Sequence, residues 1–154
     1  MTTESTGQQL VVVGVDGSAG SVAALAWAAR YAGATGARVQ AILAWHYPGV
    51  IGAPPMEVAP DSVHHQTEEQ EKGALNEAVA KAYGGPAPAG VEATLGYGHP
   101  AQVLVEASKE ADLLVVGRRG HRAFAGMLLG SVSLHCVVSA SCPVVVVRGP
   151  HEHA

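Results

Sequence analysis

Residues 112–133 read DLLVVGRRGHRAFAGMLLGSVS, and the rest of the chain is arranged around them. Leu113 to Val116 is an apolar run short enough to be a buried strand. Gly117 closes it. Two residues separate Gly117 from Gly120, and nine separate Gly120 from Gly130. Apolar residues then recur at helical spacing, at Leu128, Val132, Cys136 and Ala140. The stretch reads as strand, glycine-rich loop and helix, with Ser131 and Ser133 where the helix begins. A helix start leaves backbone N–H groups without partners, and its dipole favours negative charge. Glycines let the backbone approach an anion with no Cβ in the way. The chemistry this suits is the cradling of phosphate by amides and hydroxyls.

The same grammar extends in both directions. Leu10 to Val15 is a continuous apolar run, the mark of a strand covered on both faces. It stops at Asp16-Gly17-Ser18. Ser18 is a good N-cap for a helix whose apolar stripe is Val22, Leu25, Ala26 and Ala29 and which ends near Gly33 to Gly36. Val39 to Trp45 is a second buried strand. His46 to Ser62 carries four prolines and two glycines. It reads as a long irregular connection, either beside the mouth of a site or a plain insertion. Val63 to Tyr83 is a helix with Leu75, Ala78, Val79 and Ala82 inward and Glu68, Glu69, Glu71 and Lys72 outward. Val91 to Gly96 alternates and suits a sheet edge. Pro100 suits the first turn of a helix that runs to about Glu110 with Leu104, Ala107 and Ala111 inward. Val144 to Val147 is a last strand. Strands alternating with helices imply an α/β fold, a parallel sheet with helices on both faces.

Composition limits the function. One domain of 154 residues has room for a proper core. Apolar residues make up 48% and charged ones 14%, which argues against disorder and for an additional buried interface. The net charge of −4 argues against an electrostatic nucleic-acid surface. The polar start MTTESTGQQ and the lack of a long apolar run argue against a signal peptide or membrane span. Cys136 and Cys142 read as reduced thiols, consistent with the cytoplasm. Neither GxxxxGK[ST] nor GxGxxG occurs, and no nucleophile elbow, kinase or synthetase signature is visible. His64-His65 and the tail His151-Glu152-His153 are the only histidine clusters. Neighbours on a helix point about 100° apart, so the first pair chelates poorly, and no further ligands are spaced to complete a structural metal site.

The pattern G-x2-G-x9-G-S, followed by Val-Ser and then Cys142-Pro-Val-Val-Val-Val147, resembles the ATP-binding signature of the universal stress proteins. Val13-Gly-Val-Asp-Gly-Ser18 strengthens the likeness, which runs from Leu10 to Arg148. It implies one domain over residues 9–149 between tails at 1–8 and 150–154. It implies an open, twisted, five-stranded parallel sheet of the Rossmann-like type in the order 3-2-1-4-5. In that order strands one and four are neighbours whose connections leave in opposite directions, and such a crevice is where ligands bind. Asp16 and Gly117, a hundred residues apart, then meet at one site. The resemblance also implies a cytoplasmic homodimer. Its last strand, Pro143 to Arg148, is an apolar edge that pairs with its counterpart.

The resemblance places ATP on Gly117, Gly120, Gly130, Ser131, Val132 and Ser133, with Val116 before them. Any magnesium is held by the phosphates. Gly117 is expected to bring the chain close to the ribose, and Gly120 and Gly130 to keep the phosphate path clear. Ser131 either binds phosphate, caps the helix, or does both. Asp16 either accepts a hydrogen bond from adenine or ribose or is a turn residue before Gly17. Gly14 and Val15 supply backbone edges. Ala44 either lies by the adenine or is ordinary core. Arg118, Arg119, Arg122 and His121 either neutralise phosphates or are solvated. The expected function is regulatory, with nucleotide occupancy acting through residues 118–129 or 46–62 on partner contacts. The alternatives are a slow ATPase or related nucleotide-processing enzyme, and a nucleotide-free interaction module.

Overall fold

The computed structural model describes residues 7–46, 61–120, 126 and 128–149. Five strands alternate with four helices: β1 (Leu10–Val15), α1 (Ala19–Thr35), β2 (Arg38–Trp45), α2 (Asp61–Tyr83), β3 (Val91–Tyr97), α3 (Pro100–Ser108), β4 (Leu113–Gly117), α4 (Ser131–Ser139) and β5 (Val144–Val147). All strand pairs are parallel and the sheet order is β3-β2-β1-β4-β5. This is the fold class and strand order that the resemblance implied.

The period of two along a strand divides the core. Val11, Val13 and Val15 of β1 and Leu113 and Val115 of β4 pack with α1 and α2 on one face. Val12, Leu114 and Val116 pack with Leu104 of α3 and Cys136 of α4 on the other. Because both faces are covered, β1 and β4 read as unbroken apolar runs. Each valine so enclosed contributes roughly 1.5–3 kcal/mol. A two-way clasp sets the β1–β4 register at its start. The Leu10 amide donates to Asp112 Oδ2 at 2.8 Å, and the Asp112 amide donates to the Leu10 carbonyl at 2.9 Å. The carboxyl ends of the two strands therefore finish side by side.

Several local expectations shift. In α1 the buried residues are Gly20, Ser21, Ala24, Leu25 and Ala28, not the stripe through Val22, Ala26 and Ala29. The helix is apolar nearly all round, so periodicity cannot choose a face. The two small residues of its first turn choose it, by lying against the sheet. Ser18 does cap the helix, accepting from the Ser21 amide at 3.2 Å. Gly36 ends it in the left-handed region, φ 76°. α3 stops at Ser108, before the expected Glu110. Leu128, expected on the inner stripe of the last helix, precedes that helix and is 77% exposed. Gln8, expected in a frayed tail, donates from Nε2 to the Gly36 carbonyl at 3.1 Å. Residues 1–6 of that tail, residues 47–60 of the long connection, His121, Arg122 and the 150–154 tail lie outside the described residues.

Candidate functional site

A cavity of about 340 Å³ opens at the carboxyl ends of β1 and β4. The end of β1 supplies Gly14 and Val15 to its wall, and the loop that follows supplies Asp16. β2 supplies Ala44. The end of β4 and its loop supply Val116, Gly117, Arg119 and Gly120, and the start of α4 supplies Gly130, Ser131, Val132 and Ser133. These twelve of the residues singled out in the sequence thus line one space, while Arg118 does not, and His121 and Arg122 lie outside the described residues. Seven further described residues line it: Ser18, Ser21, Ile42, His46, His99, Pro100 and Leu104.

The loops that build the cavity are fastened to each other by close backbone approach. A Cβ on Gly117 would lie 2.8 Å from the Gly20 carbonyl carbon, and one on Gly20 would lie 2.8 Å from the Arg119 carbonyl oxygen. The chain leaving β4 therefore rides on the first turn of α1. The missing side chain of Gly117 makes room for the first turn of α1, a packing reason beside the expected approach to a ribose. A Cβ on Gly120 would lie 2.5 Å from Asp16 Oδ2. Asp16 and the glycine loop, far apart in sequence, are thus in contact. Gly130 differs from both. Its nearest neighbours to a Cβ stand at 3.5–3.6 Å and its φ is −66°, so the fold itself does not demand glycine there.

The polar groups divide into those spent on the fold and those facing the cavity. Asp16 Oδ1 accepts from the Ser18 amide at 2.9 Å and from the Ser18 hydroxyl. The turn role of Asp16 is therefore real, and its Oδ2 lies on the glycine-loop side. Ser21 Oγ donates to the Ser18 carbonyl and accepts from the Asp16 amide at 3.3 Å. Ser133, expected to offer its hydroxyl to phosphate, is buried and donates it to the Gly117 carbonyl. That bond ties the helix start to the end of β4. Ser131 is not the cap: Gly130 holds the N-cap position, and the Ser131 hydroxyl lies in the first turn. Arg118 turns away, its Nε donating to the Leu128 carbonyl at 2.7 Å, while its backbone amide meets the Val147 carbonyl. Arg119 is the arginine that lines the cavity among the described residues.

One end of the cavity is thus polar, with the first-turn amides of α4 and Arg119. The other is apolar, with Ile42, Ala44, Leu104 and Val116. Such a division suits a ligand with an anionic end and a flat, weakly polar end. Of the residues missed in the sequence, Ser18 and Leu104 carried structural signals that were read as cap and core alone. His46 and His99 carried none, because only the pairing of β2 with β3 brings them to the same rim. Among the described residues, no three His, Cys, Asp or Glu side chains gather around a point where a metal could sit. No helix among them is long and apolar enough to cross a membrane.

Comparison with known proteins agrees with this architecture. A model of the universal stress protein family matches residues 9–148. A universal stress protein of Mycolicibacterium smegmatis is 34% identical over 151 residues, which cover 94% of this chain and 49% of that protein. A solved universal stress protein in complex with cAMP is 32% identical, with a TM-score of 0.66 over 92% of this chain and 97% of its own. UspA from Lactobacillus plantarum, 23% identical with a TM-score of 0.70 over 91% of this chain and 97% of its own, shares the fold. The chain spans about half the length of the curated relatives it matches. The chain belongs to the universal stress protein family.

Proposed function

We propose that this chain binds an adenine nucleotide, ATP with any magnesium carried on its phosphates, in the cavity between β1 and β4. The observation that carries the reading is the meeting of a helix N-terminus, Arg119 and an apolar slot in one space of about 340 Å³. The α4 amides at Ser131, Val132 and Ser133 hold the phosphates, because the hydroxyl of Ser133 is already used. Ile42, Ala44 and Leu104 enclose the base. Asp16 Oδ2 faces the ribose side. The cAMP complex of the 32% identical relative supports an adenine nucleotide as the ligand class. The test is to denature freshly purified protein and separate the released small molecules by anion exchange. An adenine nucleotide in the supernatant is expected. No nucleotide, and no binding up to millimolar ATP in the emptied protein, overturns the reading.

The wider role proposed is regulatory and cytoplasmic, a stress-response protein whose partner contacts depend on nucleotide occupancy. A homodimer through Pro143 to Arg148 belongs to the same reading. It is supported by the apolar edge strand β5, which is only half-buried, and by Leu134, Val137 and Val138 exposed on the neighbouring α4. An edge of that kind is normally paired or covered. Light scattering at micromolar concentration should give twice the chain mass, and a monomer would remove the dimer from the account.

A further inference from the structure

We infer that His46 and His99 form an aromatic rim for the nucleobase and set its preference for a purine. The inference rests on the nucleotide reading above and adds to it two residues that sit at the far end from the phosphate cradle. Both imidazoles line the cavity. β2 and β4 stand on either side of β1, so their ends lie about 10 Å apart across the sheet. With phosphates at the α4 amides, a nucleotide laid over β1 puts its base against β2, between Ala44 and the start of α3.

The backbone there is built to present the two rings. The Gly98 amide donates to the Trp45 carbonyl at 2.8 Å, which locks the residue before His46 to the residue before His99. Gly98 takes a φ of 136°, open to glycine, and so turns the chain from β3 into α3 within two residues. Trp45 and Tyr97 pack edge to face with centroids 5.2 Å apart, fixing the ends of both strands. His99 occupies the N-cap of α3, a position that favours Ser, Asp, Asn or Thr, and its side chain makes no capping bond. Pro100 at N1 carries no amide, and no bond from the His99 side chain reaches the amides that follow. The imidazole of His99 is thus not spent on its helix. Both histidines are exposed and line the cavity, together with the apolar Ile42 and Ala44 of β2. Flat π faces beside apolar side chains bind a heterocycle by stacking, and stack a two-ring purine over more area than a pyrimidine.

The test compares ATP, CTP and inorganic tripolyphosphate by calorimetric titration of nucleotide-free protein, in wild type and in His46→Ala, His99→Ala, His46→Phe and His99→Phe. Both positions are exposed, so the variants should fold. The expected result is tighter binding of ATP than of CTP, and a loss of roughly tenfold in ATP affinity for each alanine variant. Tripolyphosphate affinity should be unchanged, and each phenylalanine should recover most of the loss. Alanine variants that bind ATP as wild type does, or a loss that phenylalanine fails to recover, overturn the rim while leaving the nucleotide site standing. Wild-type protein that binds tripolyphosphate and ATP equally also overturns it. No binding of any of the three overturns the nucleotide reading itself and the rim with it.

Discussion

The three glycines of the loop motif have three different physical reasons, and Gly117→Ala separates them most sharply. Its added Cβ would stand 2.8 Å from the Gly20 carbonyl carbon, 2.9 Å from its oxygen and 3.2 Å from the Ser21 amide nitrogen. Ordinary carbon contacts begin at about 3.5 Å, so the first turn of α1 must retreat by roughly 0.7 Å. These are backbone atoms and cannot swing aside as a side chain would. Ser21 is buried and hydrogen-bonded to Asp16 and Ser18, and Leu25 one turn on is fully buried, so the retreat disturbs the core. Overpacking of this kind costs about 1–3 kcal/mol, which lowers Tm by roughly 2–12 °C in a domain of this size. Urea unfolding and thermal melts of Gly117→Ala and Gly130→Ala measure the contrast. Gly130→Ala meets nothing closer than 3.5 Å and should stay within about 1 kcal/mol of wild type. Equal stability of Gly117→Ala and wild type, or a greater loss in Gly130→Ala, would refute the assignment of Gly117 to packing.

Other consequences follow from single contacts. Burial pushes the Cys136 thiol from its ordinary 9.0 to about 11. The unfolded thiol ionises first, so its contribution to stability is whole below pH 9 and is lost as pH rises through 11. Urea unfolding should show a loss of up to about 3 kcal/mol across that window that is absent in Cys136→Ala, and parallel profiles would contradict it. Ser108 is buried, and its hydroxyl donates to the Val105 carbonyl and accepts from the Ser141 amide at 2.9 Å. Ser108→Ala should cost about 1–3 kcal/mol by chemical denaturation, and a neutral result would mean that another acceptor reaches Ser141. Burial, and then the negative charge of Asp112, raise the Cys142 thiol pKa. Asp112→Asn should therefore speed Cys142 alkylation at pH 8, by roughly twofold, and an unchanged rate would count against that coupling.

The strands were legible because a doubly covered parallel sheet needs unbroken apolar runs, and β1 and β4 are such runs. The crevice was legible because its two signals, Asp16 and the spaced glycines, sit at strand ends that a parallel sheet gathers on one side. What stayed hidden depended on which backbones touch. Gly20 looked like one small residue in an alanine-rich helix, yet it faces the Arg119 carbonyl. Gly117 looked like a ligand glycine, and its packing against Gly20 was invisible. Ser133 looked like a phosphate hydroxyl, and its burial spends that hydroxyl on the Gly117 carbonyl. Arg118 and Arg119 are adjacent and chemically equal, and only the fold sends one to Leu128 and the other to the cavity. His46 and His99 are 53 positions apart in the chain. They meet through the β2–β3 register, which no local pattern encodes.

The most direct test of the nucleotide site is an ATP titration of nucleotide-free protein by calorimetry, with Gly130→Glu beside wild type. Gly130 starts α4 on the cavity wall without steric need for glycine, so a carboxylate there meets the phosphates more than it disturbs the fold. The account predicts one ATP per chain with a Kd on the order of 1 μM, roughly −8 kcal/mol, in wild type. It predicts no detectable binding in Gly130→Glu at an unchanged Tm. Wild-type protein that leaves millimolar ATP unbound, or a folded Gly130→Glu that binds it as tightly as wild type, would contradict the phosphate cradle at the start of α4.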